Sequence, residues 1–159
     1  MPIRPVSLRL PEVGTPPEPG PIRLDLSWDG RDWTVWMVDV GLACCSVEVM
    51  AAALASGASR AAGGLVHGTG ALDVLVVSGT CTDVLAPALL RVWESLPEPR
   101  RVVSFGACSN TGGPYWDSYS VTKGIDQVLP VNVYVPGCPP RPESLLQALA
   151  LLDAGGSTS

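Results

Sequence analysis

Asp73-Val74-Leu75-Val76-Val77 leads into Ser78-Gly79-Thr80-Cys81, and a stretch of helical pattern follows from Asp83 to Leu96, with Pro87 in its first turn. Strands buried on both faces look like this: nearly continuous apolar residues, rich in Val, without in–out alternation. The same unit recurs outward from this point. On the N-terminal side, Trp33–Val40 reads as a strand and Ser46–Ser56 as a helix, with Ser46 as its cap and Glu48 in its first turn. On the C-terminal side, Arg101–Phe105 and Val131–Val135 read as strands, and Pro142–Leu152 as a helix with Pro142 at the first helical position. Strands alternating with helices at this spacing predict an α/β fold with a mostly parallel sheet flanked by helices, a flavodoxin-like three-layer arrangement.

The flanks differ in composition. Residues 1–30 are rich in Pro and Gly and read as an extended arm. Residues 31–153 are expected to form a single α/β domain, and 154–159 a frayed tail. Residues 57–71 are small and glycine-rich and read as a flexible loop that contains the lone His67.

The 159 residues suffice to bury a real core. Apolar residues make up 47% and charged residues only 16%, below the usual quarter. So little charge on so small a chain implies that a partner covers part of its surface. The net charge is −5, and the ten Lys and Arg form no basic stripe, which argues against nucleic acid. No apolar run reaches the roughly twenty residues of a spanning helix. Arg4 and Arg9 precede no apolar signal segment. The expectation is a cytosolic protein, or one held at a membrane through partners.

Five cysteines, an odd number without an export signal, argue against a disulfide framework and for metal or redox chemistry. Cys44 and Cys45 follow the first predicted strand, Cys81 the second, Cys108 the third and Cys138 the fourth. Every cysteine thus lies just past the carboxyl end of a strand, the edge where open α/β sheets bind ligands. Structural zinc sites favour Cys-x-x-Cys pairs, and none is present. Iron–sulfur clusters accept more varied spacings, because a cube presents four separated corners. Gly41, Gly106 and Gly137 would let the backbone come close to the sulfurs. Spacing alone leaves open which four of the five cysteines are used.

Four stretches carry a resemblance to a known family. They are Gly41-Leu42-Ala43-Cys44-Cys45-Ser46-Val47-Glu48-Val49-Met50; Ala86-Pro87 with Pro97-Glu98-Pro99; Gly106-Ala107-Cys108-Ser109-Asn110 with Gly112-Gly113 and Tyr119-Ser120-Val121; and Pro130-Val131-Asn132-Val133-Tyr134-Val135-Pro136-Gly137-Cys138-Pro139-Pro140-Arg141-Pro142-Glu143. Over about residues 33–150 the chain resembles the 20 kDa subunit family of proton-pumping NADH–quinone oxidoreductase, respiratory complex I, which is related to the small subunits of [NiFe] hydrogenases. The resemblance implies one [4Fe–4S] cluster on Cys44, Cys45, Cys108 and Cys138, with Cys81 left out. It implies an electron carrier to quinone, with quinone in a cavity shared with a large hydrogenase-like subunit. It also implies a peripheral place on the cytoplasmic side of the cell membrane.

The chain departs from the family after its first helix. An Ala-Arg-Phe-Gly stretch, part of which borders the quinone cavity in the family, is replaced by the 57–71 loop. Arg60 lacks the Phe-Gly context, and Asp73 lacks an Arg three residues before it. The resemblance therefore carries cluster binding further than quinone contact. It also keeps two alternatives in view: the small subunit of a membrane-bound energy-converting [NiFe] hydrogenase, and a non-catalytic assembly protein that has kept the cysteines. Glu48 is a secondary candidate for cluster-linked protonation, Trp116 and Tyr119 for lining an interface, and Arg141 for offsetting the cluster charge or binding a partner carboxylate.

Overall fold

The computed structural model describes residues 22–28, 31–39, 44–55, 59–60 and 72–154. Among them six strands form one sheet in the order β3-β1-β2-β4-β5-β6. The strands are β1 (Ile22–Trp28), β2 (Arg31–Asp39), β3 (Ser59–Arg60), β4 (Leu72–Ser78), β5 (Arg100–Phe105) and β6 (Val133–Val135). The helices are α1 (Cys44–Ala55), α2 (Ala86–Ser95), the short α3 (Ala107–Thr111) and α4 (Glu143–Ala154).

The expected parallel ladder is present: β2, β4, β5 and β6 run parallel. Its strands are continuous in burial as well as in composition. Val74, Leu75, Val76 and Val77 are all fully buried, because both faces are covered. Side chains alternate between the faces. Val74, Val76, Val103 and Phe105 pack with Val49 and Ala52 of α1 and with Leu145, Ala148, Leu149 and Leu152 of α4. Leu75, Val77 and Val102 pack on the other face with Leu89 of α2 and with Ile125 and Leu129. The architecture is three layers, α/β/α.

The structure corrects several sequence expectations. Ile22–Trp28, assigned to the extended arm, is a strand that pairs antiparallel with β2 along its whole length. Its Leu24-Asp25-Leu26 pattern alternates, as suits an outer antiparallel strand, but the neighbouring prolines hide that signal. Within the glycine-rich stretch, Ser59–Arg60 is a short strand paired with Leu24 and Asp25. Residues 1–21, 29–30, 40–43 (Gly41 included), 56–58, 61–71 (His67 included) and 155–159 lie outside the described residues, so the rest of the arm, loop and tail does too.

Helix α2 begins at Ala86, not Asp83, because Thr82 bridges to Val121 and turns the chain first. Strand β6 begins at Val133, not Val131. Asn132 occupies the preceding position: its N–H donates to the Val102 carbonyl at 2.9 Å, and its Oδ1 accepts from the Val102 N–H at 2.8 Å. A side-chain amide replaces a strand carbonyl there, so the ladder is extended without a strand residue.

Asp73, which begins the apolar run, has a structural role. Its carboxylate is buried and accepts the indole N–H of Trp36, on the neighbouring strand β2, at 2.7 Å. Asp73→Ala would remove that buried hydrogen bond. It should lower unfolding stability by about 1–3 kcal/mol, read from the denaturant midpoint of the purified chain.

Candidate metal centre

Parallel strands leave the sheet by one edge, so the segments after β2, β4, β5 and β6 come together. Helix α1 starts at Cys44, two residues earlier than the sequence suggests. Both adjacent cysteines therefore sit in its first turn, and Glu48 falls in the second turn, half-buried. Ser46 is not a cap. Its buried hydroxyl is hydrogen-bonded to that of Ser78, at the end of β4, at 3.1 Å, which pins the start of α1 to the sheet edge. Cys44 points to solvent, whereas Cys45 is buried.

Cys108 lies in the first turn of α3, immediately past β5, and is buried. Cys138 is exposed on the loop after β6. Two backbone hydrogen bonds tie these segments: Gly106 N–H to Val135 O and Ala107 N–H to Gly137 O, both 2.8 Å. The contact between segments is closest at Gly106. A Cβ built there would run into Cys45 Sγ and lie 3.4 Å from Pro140 Cδ, and its φ of +96° is one that L side chains rarely adopt. The exit of β5, the start of α1 and the loop carrying Cys138 thus meet at one glycine. Gly137, at φ +143°, lets that loop fold back so tightly that a Cβ would stand 2.6 Å from Pro140 Cα. Cys108 has a similar neighbour: a Cβ on Gly113 would lie 3.0 Å from its Sγ.

The electrostatics report the same grouping. Burial pushes the Cys45 thiol up to about 12, and the nearby Cys44, Cys108 and Cys138 push in the same direction. A second anion is unwelcome beside a buried thiol unless a cation compensates both. Cys81 belongs elsewhere. It is at the same sheet edge in sequence order but packs into the opposite core face, with Trp36, Leu75 and Val77. Burial raises its thiol, a hydrogen bond with Thr122 lowers it, and Asp83 raises it. The structure therefore brings Cys45 together with Cys44, Cys108 and Cys138, and sets Cys81 apart as a core residue.

Residues 35–152 match the protein family described as NADH ubiquinone oxidoreductase, 20 kDa subunit. The chain belongs to that family. It is 54% identical over 136 residues to a B-type subunit of the NADH-quinone oxidoreductase of Streptomyces griseus, covering 84% of this chain and 57% of that one. It is 54% identical over 134 residues to the corresponding NADH-quinone oxidoreductase protein of Salinispora tropica, covering 83% and 71%. The chain thus spans a little over half of the first relative and about seven-tenths of the second. A solved archaeal respiratory membrane complex, the membrane-bound sulfane sulfur reductase, has a chain 34% identical over 52% of this one and 47% of its own length, with a TM-score of 0.49.

Other expected site residues separate by position. Trp116 and Tyr119 are exposed, at 62% and 97%, on the loop that follows Gly113, and Tyr115 joins them at 56%. Arg141 is exposed beside the Cys138 loop, and Glu143 opens α4. Sequence reasoning gave no role to Gly113, to Ser78 or to the polar group Ser104, Ser109 and Asn110 behind Cys108. Ser104 left a trace, as the polar residue in the apolar run Val102-Val103-Ser104-Phe105.

Gly106→Ala should disrupt this junction, since it adds positive-φ strain to a collision with Cys45. The variant is expected to keep its helical circular dichroism but to lose the burial of Cys45, scored as faster reaction of that thiol with an alkylating reagent.

Proposed function

We propose that Cys44, Cys45, Cys108 and Cys138 together hold one [4Fe–4S] cluster, and that the chain is the electron-transfer subunit of a complex I-type assembly that reduces quinone. The observation that carries this is the convergence of one buried thiol, Cys45, with three others drawn from three segments of the chain, while Cys81 packs on the other face of the sheet. The donor set suits the group. All four ligands are thiols, the type that iron–sulfur clusters take. Among the described residues no group of three or more His, Cys, Asp or Glu is arranged around a single metal ion.

The cluster, when bound, supplies one-electron transfer; everything else is the work of the chain's residues. Cys45 and Cys108 face the protein and exclude water, whereas Cys44 and Cys138 face outward. A redox partner therefore approaches on the side of Cys44 and Cys138. Gly106 and Gly137 hold the backbone close to the thiols, and hydrogen bonds from backbone N–H to sulfur are one of the means by which proteins tune such clusters. The four N–H groups that open α1, with the positive end of its dipole, favour negative charge at Cys44 and Cys45.

The assembly reading rests on family membership. The partners are a large hydrogenase-like subunit and the other subunits of the complex, with quinone at the boundary between this chain and the large subunit. The chain sits peripherally on the cytoplasmic side of the membrane. Among the described residues no helix is long and apolar enough to cross a membrane.

Anaerobic reconstitution of the purified chain should give about four irons per chain and, after reduction, a paramagnetic resonance signal from the cluster. Cys138→Ser should abolish that signal, whereas Cys81→Ser should leave both iron content and signal intact. A wild-type chain that takes up no iron would sink the proposal, and a Cys81→Ser variant without a cluster would overturn the ligand set.

A further inference from the structure

Two of the four thiols are carried by elements too short to hold them. Helix α3 has five residues, and an isolated helix of one turn is not stable in water. Strand β6 has three residues, and Cys138 lies beyond its end. Something must brace one against the other, and the side chain that spans them is Asn110. Its Nδ2 donates to the Val135 carbonyl at 3.1 Å, and its Oδ1 lies 2.6 Å from the Ser104 hydroxyl. The orientation of the amide follows from its partners. A backbone carbonyl can only accept, so nitrogen faces Val135, and the oxygen takes the Ser104 hydrogen.

Val135 O is the hub of this brace. It also accepts the Gly106 N–H at 2.8 Å, so two donors, one on each side of Cys108 in sequence, converge on the last residue of β6. The Asn110 N–H donates to Gly106 O at 3.0 Å, and Ser109 Oγ donates to the same oxygen at 3.2 Å, which closes the turn around Cys108. From the far side, Gly124 backs the turn: a Cβ there would lie 2.7 Å from Asn110 O. Ser104 and Ser109 are both fully buried, so the network lies in a dry setting where a lost partner is costly.

We propose that Asn110 is a positioning residue: by clamping the Cys108 turn to the exit of β6, it fixes the separation of Cys108 and Cys138 before any cluster binds. This rests on the ligand set proposed above. The hydrogen bonds of the Asn110 side chain go to Ser104 and Val135, not to a thiol. It acts through the Gly106 and Ala107 backbone, whose N–H groups are bonded to Val135 O and Gly137 O.

The test uses the full chain in two forms. In the iron-free chain, amide hydrogen exchange is followed at Gly106 and Ala107, with Val76 and Val77 in β4 as internal references. Asn110→Ala should speed exchange at Gly106 and Ala107 about tenfold, the effect of one buried hydrogen bond, and leave the β4 amides unchanged. Asn110→Asp keeps the acceptor for Ser104 but loses the donor to Val135, and should give the same result. It decides the matter if the alanine variant loses β4 protection as a whole. In the reconstituted chain, both variants should shift the g-values and midpoint potential of the cluster at unchanged iron content. Wild-type exchange rates at Gly106 and Ala107 in both variants would overturn the clamp, as would faster exchange with an unaltered cluster signal. A wild-type chain without iron would instead defeat the cluster reading, and the exchange rates alone would then decide the clamp.

Discussion

In a parallel sheet every strand leaves by the same edge, and that constraint organises this molecule. Cys45 and Cys138 are almost a hundred positions apart in the chain. They become neighbours because β2 and β6 belong to one parallel ladder, through β4 and β5. No local interaction could bring them together. The cost is met by burial: both faces of the ladder are covered, and Val35, Val74, Val76, Val103 and Leu75 are removed from water completely. The hydrophobic effect that builds the three layers therefore also gathers the thiols.

At that edge the tolerance is narrow. Gly106 stands where three segments meet, and not even a methyl group fits between its Cα and the Cys45 thiol. The surrounding groups are tied by hydrogen bonds, not by regular elements: Ser46 to Ser78, Gly106 to Val135, Ala107 to Gly137 and Asn110 to Val135. An edge made of loops and one short helix is stiffened in this way without losing the irregular backbone that thiol ligands need. The same economy appears at Asn132, whose side chain completes a ladder that its backbone leaves.

The layers were legible from the amino acids because both-face burial imposes a composition. The runs at 73–77 and 101–105 are largely apolar, as covered strands must be. The less regular parts were not legible. The strand at 22–28 was lost among prolines, since its alternation is short and its pairing partner β2 decides its identity. The start of α1 was misplaced because Ser46 has the chemistry of a cap, and only its contact with Ser78 shows that its hydroxyl is used elsewhere.

The amino acids alone establish that five cysteines follow four strands, that the strands are buried on both faces, and, through their motifs, that the chain belongs with the 20 kDa subunits of NADH–quinone oxidoreductases. Packing selects which cysteines meet. Cys81 and Cys108 both follow a parallel strand within a few residues and look alike in sequence. Whether a residue beyond a strand turns toward one face of the sheet or the other depends on how the loop is packed, and packing is a property of partners distant in sequence. Thr122 and Asp83 attend Cys81, on the α2 side of the sheet. Gly113 and the hydrogen bonds of Asn110 and Ser109 hold the Cys108 turn among the other thiols.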